Sequence, residues 1–307
     1  MTTEGVTRLI KKTILVTGGR GFIGHHLTDS LRHHNSVIVV DNDVFEQARP
    51  FLEGVTYYDK CISEILDINI PPPDIIIHLG EYSRVEQSFT DINFVLKNNL
   101  GTIGPLLTLW KDTGAKLLYA GSSTKFGKDQ EDKQVLSPYT LCKQANTNLI
   151  KSFADWYGLP YAITYFYNVY GPLENGDSKY ATVIEKFIRQ KLRGQPLTIT
   201  RPGTQKRNFT HVFDIVSAIK LVIANGLGDD FGIGNQKSYS ILELAKMLDC
   251  EFTFNNVAMG NRFDAELITA KTVKLGWAAS YNLQDYLKNR LQNELGTPNN
   301  SQTFNSK

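Results

Sequence analysis

Cysteine is scarce in this chain: Cys61, Cys142 and Cys250 stand far apart, and no C-x-x-C spacing occurs. That argues against a disulfide framework and against a paired-cysteine zinc site, and it suits a reducing compartment. An excess of charge of one sign is also lacking. The formal net charge is +2, and lysine and arginine are scattered apart from short pairs such as Lys11-Lys12. No basic stripe is offered to nucleic acid or acidic lipid. Long apolar runs are missing too, and the opening stretch MTTEGVTRLIKK has no apolar core of the kind a signal peptide needs. A soluble, cytoplasmic protein is expected. Internal repeats and low-complexity linkers are absent, and the polar stretch 296–307 reads as a flexible tail.

What is present is a rhythm of strand and helix over 307 residues. TILVTGG, SVIVVDN, DIIIHLG, AKLLYAGSS and YAITYFYNVYG are short apolar runs of the kind that form buried parallel strands. Helix-length segments lie between them: about Gly21 to His33, Asp91 to Lys111 and Pro138 to Tyr157. This alternation predicts an α/β fold, a Rossmann-type doubly wound parallel sheet with a smaller C-terminal lobe. The expected division is residues 1–170 for dinucleotide binding, with part of 210–240 returning to that unit. Residues 171–290 are read mainly as the substrate lobe.

TGGRGFIG places Gly18, Gly21 and Gly24 directly after a strand and at the opening of a helix. The three glycines suit a tight turn, close backbone approach to a pyrophosphate, and close helix–strand packing. The helix N-terminus then offers free N–H groups to the phosphates. Asp41 ends the next strand, where a carboxylate accepts both ribose hydroxyls and repels a 2′-phosphate, so NAD is favoured over NADP. Asp59 is a further candidate, at the adenine edge.

With these motifs in view, the sequence resembles the extended short-chain dehydrogenase/reductases, specifically the NAD-dependent nucleotide-sugar epimerases and dehydratases, over roughly Thr13 to Trp277. The resemblance rests on TGGRGFIG, IHLGEYSRVEQS, NNLGT, the GSST cluster, YTLCK, NVYGP and RNFTHVFDI, in that order. It implies that Tyr139 and Lys143, one helical turn apart, form the acid–base pair. Lys143 and a positive nicotinamide would draw the Tyr139 phenol toward working pH. Ser122 would bond the sugar hydroxyl being oxidised, with Ser123 and Thr124 beside it.

The same resemblance makes Phe22, Ile23, Asn42, Leu79, Gly80, Asn99 and Phe166 further cofactor-site candidates. Asn99 would brace the cofactor and active-site helices. Ser83 and Arg84 would line the sugar pocket, while Asn168, Arg207 and Arg262 would meet the substrate diphosphate. His78 and His211 are read as structural, and no metal is expected. Ile92, Val95, Leu96, Leu149 and Phe153 could face a second copy in a homodimer, or could be core.

The hydroxyl triplet Ser122-Ser123-Thr124 bears on the reaction. Related dehydratases place acidic residues there, and related decarboxylases a glutamate, so neither chemistry finds its acid–base equipment in this triplet. The expectation is C4 epimerisation of a UDP-hexose through a transient 4-keto sugar. The alternatives are a 4-ketosugar reductase, with a 4,6-dehydratase ranked below it, or a non-catalytic NAD-binding regulator, and the base and sugar stay open. Two departures stand out: a short stretch between Ser122 and Tyr139, and Glu81 where the family has a small residue. Glu81 could stabilise the positive ring, bind a sugar group, or face a loop partner.

Overall fold

The computed structural model describes residues 9–43, 49–126, 137–174, 176, 180–256 and 266–295. Its centre is a seven-stranded sheet built from β1 (Thr13–Thr17), β2 (Ser36–Val40), β3 (Val55–Tyr58), β4 (Ile75–His78), β5 (Lys116–Ala120), β6 (Tyr161–Phe166) and β11 (Gly228–Ile233). The remaining strands are the short β7 (Val169–Tyr170), β8 (Leu197–Thr200), β9 (Lys206–Arg207), β10 (Thr210–His211), β12 (Tyr239–Ser240) and β13 (Phe252–Asn255). In the sheet the order is β11-β6-β5-β4-β1-β2-β3, and every pairing is parallel. The apolar runs are continuous because both faces are covered. Ile14 and Val16 pack on one face with Leu27, Ile215 and Ile219, whereas Leu15 packs on the other with Leu106, Trp110 and Ile150.

Strand order reverses between β1 and β4, which opens a crevice at their C-terminal ends. The register there sets Thr17 beside His78, and His78 beside Tyr119. Three helices carry the site: α1 (Phe22–Arg32), α2 (Ile92–Thr113) and α3 (Pro138–Tyr157). The start of α3 is marked by Ser137, whose side chain accepts from the Thr140 N–H, with Pro138 in the first turn.

A third apolar core holds Phe187, Leu197, Ile199, Leu244, Leu283 and Leu287, and belongs to the C-terminal part of the chain. It contains α4 (Val183–Leu192) and α6 (Ile241–Met247), the latter opened by a Ser240–Glu243 capping box. By contrast α5 (Val212–Asn225) and β11 pack with the sheet, and Trp277 joins them. Two differences from the sequence reading have plain causes. β3 is a short, half-exposed edge strand with no sustained apolar run. YAITYFYNVYG is divided into β6 and β7 because Asn168 takes a left-handed backbone, φ 36°, which asparagine tolerates.

Candidate active site

The crevice widens into a cavity of about 580 Å³ whose wall runs from the glycine loop to Arg207. At one end the fit to a dinucleotide can be tested by adding atoms. A Cβ on Gly24 would lie 2.0 Å from the Gly18 carbonyl, and one on Gly18, whose φ is 70°, would lie 2.7 Å from the Gly80 Cα. Gly21 caps α1 without any side-chain hydrogen bond, so the first-turn N–H groups around Phe22, Ile23 and Gly24 are open to an anion. The residues present therefore fit a pyrophosphate-bearing cofactor.

Asp41 stands on the same wall. Its two oxygens accept the backbone N–H groups of Arg20 at 2.8 Å and Asp43 at 2.9 Å. Burial pushes its carboxyl up, and those N–H groups pull it back. Asn42, Leu79, Gly80 and Phe166 also line the cavity. Asp59 does not: it is exposed and off the wall, and the neighbouring Lys60, Cys61 and Ile62 line it instead. Sequence reasoning also passed over Arg20, whose guanidinium pairs with Asp43 at 2.7 Å and lies over the Phe51 ring. Its place inside the glycine motif was the available signal.

At the other end, Ser122, Ser123, Thr124, Tyr139 and Lys143 meet on the wall. The Thr124 hydroxyl donates to Ser122 Oγ at 2.8 Å. Tyr139 is 8% exposed at the second position of α3, and one turn later Lys143 donates to the Ala120 carbonyl at 2.6 Å. Asn99 is fully buried below this wall. Its side chain accepts from the Tyr82 N–H and donates to the Tyr82 carbonyl, while its own carbonyl receives Asn146 of α3. One residue thus ties α2, α3 and the loop after β4 together.

That loop brings in Glu81. Its side chain is 1% exposed, and its carboxylate lies 2.6 Å from Lys143 Nζ. Of the three options open from sequence, a loop partner is not what the fold provides. The partners are Lys143 and Asn146 on α3, Tyr119 on β5 and His78 at the end of β4. Burial alone would push this carboxyl up, but the Lys143 charge and the hydrogen bond from His78 outweigh it and hold it at about 2.

The wall beyond Tyr139 is polar. Ser83 is exposed, and Arg84 lines the cavity and donates to the Tyr180 carbonyl at 2.6 Å. Asn168 is exposed on the wall, and its side chain reaches the Asn208 carbonyl at 3.4 Å. Arg207, in β9, lines the same cavity and donates to the Lys206 carbonyl. Arg262 falls outside the described residues. His211 is buried, stacks on Tyr281, and is pushed down to about 4 by burial. Among the described residues no group of His, Cys, Asp and Glu could hold a metal ion. Nor is any described helix long and apolar enough to cross a membrane.

Comparison with known proteins agrees with this geometry. The model of the NAD-dependent epimerase/dehydratase family matches residues 14–234. UDP-glucuronic acid decarboxylase 6 of Arabidopsis thaliana is 31% identical over 251 residues, covering 76% of this chain and 72% of that relative. The dTDP-D-glucose 4,6-dehydratase of Dictyostelium discoideum is 29% identical over 275 residues, covering 78% of this chain and 62% of that relative. Among solved structures, a UDP-glucose 4-epimerase of Thermotoga maritima with UDP-glucose superposes with a TM-score of 0.84. It is 27% identical and covers 91% of this chain and 97% of that one. With the glycine cradle, the Asp41 carboxylate and the Tyr139–Lys143 pair lining one crevice, and with most of its length matched, the chain belongs to the NAD-dependent epimerase/dehydratase family.

Proposed function

We propose that this enzyme epimerises C4 of a UDP-hexose through a transient 4-keto sugar. The observation that carries the reading is the hydroxyl-only cluster beside Tyr139: Ser122 and Thr124, bonded to each other, with no carboxylate in the triplet. Elimination or decarboxylation needs an acid or base at the neighbouring carbons. Of the acidic residues on the wall, Asp41 and Asp43 lie at the end of β2, Glu81 is buried in an ion pair, and Glu86 stands in the short turn after β4.

The roles follow from position. Ser122 accepts Thr124's proton and turns its own toward the sugar oxygen, relaying the C4 hydroxyl proton to Tyr139. A bound NAD, held by the glycine loop and Asp41, would supply a reversible hydride acceptor for C4. Tyr139 then gives its proton back to the ketone oxygen after the sugar has turned its other face. Lys143 orients this end and keeps one proton for a ribose hydroxyl. Arg207 and Asn168 hold the diphosphate, and Arg84 with Ser83 borders the sugar.

The active form is read as a homodimer. Ile92, Leu96 and Leu100 repeat every four residues on α2, and Leu141, Ala145 and Leu149 do so on the adjoining α3; all six are exposed. Val95 and Phe153, candidates for this surface, pack inside the chain instead, since Val95 is fully buried and Phe153 stacks on Trp110.

The direct test incubates purified protein with a panel of UDP-hexoses and follows the sugar by NMR, with no cofactor added beyond what the protein retains. Interconversion of C4 epimers supports the reading. Protein that is inert until NADH or NADPH and a 4-keto sugar are supplied would make it a reductase, and carbon dioxide release from UDP-glucuronic acid, run beside the hexoses, would make it a decarboxylase.

A further inference from the structure

Lys143 is the residue expected to lend positive charge to the nicotinamide end, yet it is not a bare cation. It has three protons to give. The Ala120 carbonyl takes one at 2.6 Å and Glu81 Oε2 takes another at 2.6 Å. The carboxylate itself is over-determined by donors. The Tyr119 hydroxyl reaches Oε2 at 3.0 Å, while Asn146 Nδ2 and His78 Nε2 reach Oε1 at 2.9 and 3.2 Å. His78 is oriented in turn by Thr17, whose Oγ1 lies 2.6 Å from Nδ1 and already accepts the Gly80 N–H. The carboxylate can only accept, so the ring donates to it through Nε2.

The register explains why these groups meet. Thr17, His78 and Tyr119 are neighbours across β1, β4 and β5, and Glu81 follows three residues after His78. Three other titratable groups face the carboxylate: His78, Tyr119 and Cys142. Burial, followed by the Glu81 charge itself, pushes the Tyr119 phenol and the Cys142 thiol up. Lys143 and Glu81 face each other as a contact pair at 2.6 Å.

We propose that Glu81 is a positioning residue that holds Lys143 and cancels its charge, so that the site favours the oxidised, positively charged nicotinamide over the reduced, neutral one. This rests on the reading of the Tyr139–Lys143 end as the nicotinamide end. A lone buried ammonium would oppose the oxidised ring, because its field is little screened there. A paired ammonium presents only a short-range dipole. A cycle that must return its cofactor oxidised after each turnover gains from that balance.

The experiment titrates NAD and NADH separately into cofactor-stripped protein by calorimetry, and compares the ratio of their dissociation constants. Glu81→Gln keeps the size of the side chain and removes its charge. The ratio of NAD Kd to NADH Kd should rise about tenfold, equivalent to about 30 mV for a two-electron couple. Lys143→Met leaves the carboxylate alone and should move the ratio the opposite way. The double variant, without either charge, should return to within about threefold of the wild type.

A Glu81 with only a structural role would weaken both dinucleotides alike, so an unchanged ratio in Glu81→Gln overturns the proposal. Should that variant fail to fold, a ratio that rises in Lys143→Met overturns it equally. Wild-type protein that binds neither dinucleotide would overturn the underlying reading of the cavity instead.

Discussion

Tyr139 occupies the second position of a twenty-residue helix, where the unsatisfied N–H groups of the first turn favour an anion. Its hydroxyl makes no hydrogen bond to any described residue, while Ser122 lines the same wall. Glu81 pairs with Lys143 one turn further along the same helix, so the ammonium beside Tyr139 is not a lone charge. Under the proposed function, Tyr139→Phe removes the proton acceptor and little else. Turnover of the epimer pair should fall by about 10²- to 10⁴-fold, with affinity for NAD nearly unchanged. NMR rates and calorimetric titration on the same preparation read both. A variant that keeps a tenth of the activity would move the base elsewhere on the wall.

Elements decide what those residues meet, and here the reach of sequence reasoning differs by distance along the chain. The glycine loop, Asp41 and the Tyr139–Lys143 pair are legible because each is a local spacing on one strand–helix unit. The Glu81–Lys143 contact is not, because it depends on the register of β1, β4 and β5 and on where α3 lies over them. Arg84 bonding the Tyr180 carbonyl is illegible for the same reason.

A second buried carboxylate of this kind is Glu174, which accepts the Thr182 N–H at 2.7 Å and the Thr182 hydroxyl at 3.0 Å, at the start of α4. Burial outweighs those bonds and pushes it up from 4.5 to about 7. In that interval the folded chain binds more protons than the unfolded one, so stability falls as pH rises from about 4.5 to 7 and is level above. The full shift is worth about 3 kcal/mol. Glu174→Gln should lose this slope. Denaturant melts of both proteins at pH 5 and 7.5 would show the variant gaining on the wild type with pH, and parallel curves would refute the assignment.

At the scale of the whole molecule, α2 and α3, which carry site residues, also present exposed apolar stripes. Val95, Asn99 and Asn146 point inward to the site loop and core, and Leu96, Leu100, Leu141 and Leu149 point outward, 38 to 50% exposed. Isolated exposed leucines are ordinary on a monomer, but two parallel stripes on adjoining helices form a surface that a second copy can cover about a two-fold axis. In such an assembly each helix would be fixed on one side by Asn99 and Glu81 and on the other by its partner, which couples association to the placement of Tyr139. Leu96→Glu puts a charge in the stripe without touching the cavity wall. Sedimentation equilibrium should give twice the chain mass for the wild type and the chain mass for the variant, with NAD binding retained. A wild type that sediments as a monomer at all concentrations would leave the stripes to another role and free Tyr139 from any dependence on assembly.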